Sequence, residues 1–82
     1  MTQREKEIFE KLLITTFEAL EQSVKERDSI REYYIQDKMY EAEMAQRKSD
    51  KYYGYAYGIY YALFEIGYKD NGMNELYELL KQ

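Results

Sequence analysis

Apolar side chains recur at three- and four-residue spacing in the first third of the chain: Phe9, Leu12, Leu13, Thr16, Phe17, Leu20 and Val24. At 100° per residue these positions fill an arc of roughly 140°, which Ile8 and Ala19 widen to about 180°; Ile14 falls outside it. So broad an arc predicts a helix that touches two neighbours. Thr2-Gln3-Arg4-Glu5 fits a capping box that opens this helix. Its end is open to three readings. Ser29-Ile30-Arg31-Glu32 is a second capping box and would restart a helix near residue 28, Asp37 offers a later restart, and an unbroken helix could run on to residue 48. The third reading would need a second chain to support its charged middle. Length favours a turn at about Gln36–Lys38: arms of ~50 Å (residues 3–35) and ~44 Å (residues 38–66) can then lie antiparallel.

The second helix has a defined stop. Gly67 suits the left-handed position just past a helix end, and Tyr68 can fold back onto Leu63. Lys69-Asp70-Asn71-Gly72 reads as a turn, after which Asn71 or Asn74 caps a short helix with Met73, Leu76, Tyr77 and Leu80 on one side. A helix of about nine residues is not stable alone, so it must dock on the others. The expected fold is all-α: an antiparallel helical hairpin with a short third helix packed at its base. It forms a single helical domain over residues 1–82, with helices at about 3–35, 38–66 and 73–81. Residues 8–24 should lie beside 52–66. The far end, about residues 26–50, is highly charged, and its apolar content is thinner.

Residues 52–68 stand apart. They hold seven of the eleven tyrosines and a single charge, Glu65. A helical wheel divides them into two apolar faces. Tyr52, Tyr55, Ala56, Ile59, Leu63 and Ile66 form one, which suits packing on the first helix. Tyr53, Tyr57, Tyr60, Tyr61 and Phe64 form the other, which the short helix can cover only in part. A buried tyrosine removes about 150–250 Å² from water, so several left bare would exceed what a monomer tolerates. These five residues are therefore the candidate protein-binding face. The competing reading is that the rings cap the internal core with their hydroxyls in water. Gly54, Gly58 and Ala62 form a row of small residues and are candidates for a close helix–helix contact. Tyr53, Tyr57 and Tyr60 could also form an aromatic cage for a cation, although helical spacing places them on one side in any case.

Composition removes most chemistries. Cysteine and histidine are absent, so disulfides, thiolate catalysis, thiolate-bound zinc and the usual neutral-pH base are missing. Ser23, Ser29 and Ser49 have no histidine to activate them. Glu18-x-x-Glu21, with Glu41 and Glu43 farther along, would suit a magnesium-dependent helical enzyme, but no glutamate is followed by aspartate three residues on to supply the second carboxylate pair. No glycine-rich loop precedes a helix. The net charge is −4, and both signs are mixed along the chain with no basic stripe, so phosphate binding is poorly served. The tyrosine-rich run falls short of the ~20 apolar residues that a bilayer needs. The N-terminal residues lack a signal-peptide core, which makes the cytoplasm the expected location.

These observations lead to an expectation of a non-enzymatic protein–protein interaction module, a small helical adaptor or inhibitor. No catalytic residue, metal or cofactor is expected. The partner is a second copy, giving a homodimer through the tyrosine-rich helix, or an unknown target protein; nucleic acid and membrane are not expected. Abundant Lys, Glu, Ile and Tyr suit an AT-rich genome. An alternative is therefore a phage or mobile-element inhibitor that binds a host nucleic-acid-handling or defence protein. The remaining alternative is an enzyme that works through carboxylates and magnesium.

Overall fold

The computed structural model describes residues 2–81. Three helices, α1 (Gln3–Ile35), α2 (Met39–Glu65) and α3 (Asn71–Leu80), form an all-α antiparallel hairpin with the short third helix at its base. The shape is a rod of 52 × 21 × 15 Å, about the length of α1 at 1.5 Å per residue. The Thr2 side chain accepts a bond from the Glu5 N–H at 3.1 Å and caps α1.

Both long helices end in the same way. At the end of α2, the N–H of Gly67 reaches the Phe64 carbonyl and that of Tyr68 reaches the Leu63 carbonyl, both at 3.0 Å, while Gly67 takes φ 77°. This is the Schellman arrangement expected from the sequence. At the end of α1, Asp37 N–H reaches the Tyr34 carbonyl at 3.1 Å and Lys38 N–H reaches the Tyr33 carbonyl at 2.8 Å. Here the left-handed residue is Asp37, at φ 58°. The hairpin thus turns at Gln36–Lys38 on aspartate, one of the few residues with a Cβ that visits this conformation, at a cost that glycine would not bear. The restart at Ser29 does not occur: the Ser29 hydroxyl bonds back to the Lys25 carbonyl at 3.0 Å inside α1.

The cap of α3 is Asp70, not Asn71 or Asn74. Its Oδ1 accepts from Gly72 N–H at 2.8 Å. The Asp70 backbone is extended, as a cap requires, whereas Asn71 already lies within the helix. A Cβ on Gly72 would stand 2.8 Å from Leu13 Cδ2, so the bare glycine lets the start of α3 approach α1 closely.

The core is confined to the base. Leu13 and Leu20 of α1, Ala56 and Leu63 of α2, Tyr68 of the loop, and Met73, Leu76 and Leu80 of α3 form one buried cluster, with Phe9, Phe17, Ala19, Ile59 and Tyr60 packed around it. The Phe9 and Tyr68 rings meet at 5.5 Å. Of the broad arc on α1, Leu12, Val24 and Ile8 remain exposed, as does Ile14. One short helix cannot cover 180° of a longer neighbour.

Beyond the base, α1 and α2 meet through small side chains. Ala42 and Ala45 are buried, and Ser23 faces Ser49. The Ser23 hydroxyl donates to the Ser49 carbonyl at 2.9 Å, the Ser49 hydroxyl donates to the Ser23 carbonyl at 3.0 Å, and the two oxygens lie 3.2 Å apart. Leu79 of α3 lines a hollow beside Ser23, and among the described residues no third helix covers the rest of the arm.

Candidate protein-binding face

The five predicted interface residues all lie on α2, but α3 divides them. Tyr60 turns inward and packs against the buried cluster. Tyr53 is tied down at its tip, where its hydroxyl donates to the Leu80 carbonyl at 2.8 Å. That bond satisfies a carbonyl in the last turn of α3, which has no partner within its own helix. Tyr53 and Tyr60 therefore make contacts within the chain's own fold.

Tyr57, Tyr61 and Phe64 behave differently. They are 51%, 51% and 60% exposed, against 41% for Tyr53. Tyr53, Tyr57 and Tyr61 form a ladder one helical turn apart, with ring centroids at 6.4 and 6.3 Å and interplanar angles of 26° and 18°. Tyr60 and Phe64 stack in the same way at 6.3 Å. A four-residue step places successive rings nearly above one another, so the sequence itself builds the ladder. Across from it stands Tyr77 of α3, which is also exposed.

Between the two helices runs an apolar hollow of about 370 Å³, walled by Tyr57, Tyr60, Tyr61, Phe64, Tyr77 and Leu80, with Lys81 at its edge. Tyr60, Phe64 and Tyr77 also wall a neighbouring hollow of about 620 Å³ that reaches Asp70 and Asn74. The face is thus a trough with aromatic walls. Its rim carries paired charge: Lys81 meets Glu78 at 3.1 Å and stands over the Tyr77 ring at 5.5 Å.

Gly54 and Gly58 make no close helix contact among the described residues. A Cβ on either would meet nothing within 4 Å, and Ala62 is exposed. The close contact that does form uses Ala42, Ala45 and Ser49. These residues carry too little apolar surface to register in a hydrophobic pattern. The aromatic cage does not assemble either: Tyr53 and Tyr57 stack in one ladder, whereas Tyr60 stacks on Phe64 and packs against the core cluster.

The acidic candidates lie on solvated surface. Glu21 pairs with Lys25 at 3.4 Å and Glu43 with Arg47 at 2.8 Å, all highly exposed. Among the described residues no three acidic side chains converge. At the edge of the base, burial pushes the Tyr68 phenol above its ordinary value, and the negative charges of Asp70 and Glu10 push it further. Its hydroxyl lies 3.5 Å from Asp70 Oδ2. Among the described residues no helix is long and apolar enough to cross a membrane.

Comparison with protein families, curated proteins and solved structures found no match to this chain.

Proposed function

We propose that this chain is a non-enzymatic interaction module that binds a second copy of itself through the aromatic trough of α2 and α3. The observation that carries this reading is the exposure of the stacked Tyr57 and Tyr61 and of Phe64, which wall one hollow together with Tyr77. Four rings, each about half exposed, present roughly 400 Å² of mostly apolar surface. That lies within the range of the largest patch on a typical monomer, ~300–600 Å², and such patches are commonly functional. A standard interface buries about 800 Å² per partner. The rings supply half of that, and the trough walls and the Lys81–Glu78 rim supply more. Tyrosine suits this position because the ring fills space and the hydroxyl reaches the wet edge. Absence of histidine and cysteine, together with the solvated pairing of Glu21 and Glu43, supports the non-enzymatic part of the reading.

Sedimentation equilibrium of the purified chain tests it. A dimer is expected at ~100 µM, and Tyr57→Ala with Tyr61→Ala should lower the mass to one subunit while far-UV circular dichroism stays helical. Those two rings are the right pair because neither belongs to the core cluster, whereas Tyr60 does. A subunit mass for the unaltered chain at this concentration overturns association through the trough.

A further inference from the structure

We propose that the chain also forms an arm-exchanged dimer, in which residues 36–38 straighten into helix and α1 of each copy packs on α2 of the other. The occupant of the exposed arm is then a second copy of this chain, held by the contacts the hairpin already makes. This proposal does not rest on the aromatic trough.

Three observations carry it. The first is strain at the turn. Asp37 holds φ 58° without being glycine, and no proline or glycine precedes residue 54. Short hinges under strain favour exchange of arms between copies. The second is hydrogen bonding. Asp37 and Lys38 bond to the carbonyls of Tyr34 and Tyr33 respectively, and an unbroken helix needs only that these two acceptors be exchanged. Lys38 provides no side-chain cap for α2, so the amides of Met39, Tyr40 and Glu41 lack intrahelical partners in the hairpin. Straightening gives them the carbonyls of Ile35, Gln36 and Asp37.

The third observation is phase. Wound as one straight helix, the buried positions of α1 (Leu13, Thr16, Leu20, Ser23) and of α2 (Ala42, Ala45, Ser49, Ala56, Leu63) share one arc of roughly 120° at 100° per residue. Ile30 and Tyr34 fall within the same arc, and so do the charged Arg27, Arg31, Lys38 and Glu41. Straightening therefore keeps the buried positions of both helices on one face across a hinge region that is largely charged. The Ser23–Ser49 pairing places residue 36 at the midpoint of the register, so two straight chains would cross there. Tyr34, more than half exposed in the hairpin, would then lie beside the crossing point on the seam. Because α3 follows the C-terminal half of α2, each end of the exchanged dimer recovers a three-helix base.

The test uses Ser23→Cys with Ser49→Cys in the full chain, which has no cysteine of its own. The protein is refolded under reducing conditions at about 1 mM, oxidised, and run on a non-reducing denaturing gel. A disulfide-linked dimer is expected, because exchanged arms place the two sulfurs on different chains. The same band should persist when Tyr57→Ala and Tyr61→Ala are added. Hairpins joined only through the trough give a cross-linked monomer, so the two associations fail separately. Only cross-linked monomer, at every concentration, overturns the proposal. Should the cysteines not link at all, the hinge itself decides. Asp37→Ala should raise dimerisation about tenfold and Asp37→Gly should lower it by a similar factor, since the left-handed strain is worth about that much in an equilibrium. Small-angle scattering should show a particle about 95 Å long in place of 52 Å. Equal masses for the two Asp37 variants and a 52 Å particle for both would refute it.

Discussion

The base and the arm of this molecule join the same two helices by different means. At the base, leucine, methionine and aromatic side chains from three helices and the Tyr68 loop interlock around Leu63 and Leu76. In the arm, two helices touch through alanine and serine, and the larger apolar groups at the tip stay in solvent: Tyr40 and Ile35 are each 71% exposed. Burial of apolar area is the main stabilising term in folding, so stability must be concentrated in the base. The arm is held by close backbone approach and by the reciprocal Ser23–Ser49 bonds, which fix the register and add little apolar burial. The base specifies and stabilises the fold, and the arm extends from it.

The strongest way to break this contrast is to remove the same kind of group from each region. Leu76→Ala empties a fully buried site between α3 and the hairpin and should destabilise by about 2–5 kcal/mol. For a chain of this size that lowers the melting temperature by more than ~10 °C. Ile30→Ala, at a half-buried site in the arm, should cost roughly 1 kcal/mol, about half the transfer value of a fully buried side chain. Thermal melts of the two variants compare the regions directly. Equal losses would mean that the arm carries as much of the stability as the base.

The arm should resist enlargement more than truncation. Ala45 is 3% exposed at the seam, so Ala45→Leu must push the helices apart and should cost about 1–3 kcal/mol. Hydrogen exchange would show the damage confined to residues 26–50, with the base amides protected as before. In the unaltered chain the arm amides should already exchange faster than those around Leu63, because few apolar contacts hold them.

How far this division was legible in the sequence follows from what carries a strong local signal. Gly67 with Leu63 and Tyr68 marked the end of α2, and Thr2 with Glu5 marked the start of α1, because caps depend on a few fixed residue types. The base was readable from Leu13, Leu20, Leu63, Leu76 and Leu80, whose bulk makes the 3.6-residue period plain. The arm seam was not. Ala42, Ala45 and Ser49 are small, and the periodic pattern thins where packing depends on the absence of bulk. On the tyrosine-rich face the wheel grouped Tyr60 with Tyr57 and Tyr61, yet one turns to the core and the others to solvent. That split depends on where α3 lies, which helical phase alone does not specify. The Asp70 cap was masked by two asparagines of equal capping strength a few residues on.

The serine pair sits between the two regimes, and a double-mutant cycle sharpens its role. Ser23→Ala and Ser49→Ala should each cost about 1 kcal/mol, since each removes a buried hydroxyl bond and alters the other hydroxyl's surroundings. Made together they should cost less than the sum, because the 3.2 Å contact between the two hydroxyl oxygens is lost in either single variant and is counted twice in the sum. Urea melts of the four proteins give the coupling. Strict additivity would mean that the two hydroxyls act independently and that the register is held by the alanines alone.

The smallest effect is set by pH and belongs to the base. Burial, then the charges of Asp70 and Glu10, hold the Tyr68 phenol above its usual pKa of 10.0. In the unfolded chain the same group titrates near that usual value. Between the two values the unfolded state has lost a proton that the folded state keeps, so stability falls as pH rises. The contribution is fully present below about pH 10 and disappears as the pH climbs through the raised folded value. Tyr68→Phe keeps the ring against Phe9 and removes the titrating group. The stability difference between the two proteins should therefore be constant from pH 7 to 9 and drift in favour of the phenylalanine variant above pH 10. Urea melts at each pH measure it, and using the difference cancels the other ten tyrosines. A flat difference across pH 10 would mean that Tyr68 reaches solvent freely, and the seam between the loop, α1 and α3 would then be looser than its buried rings imply.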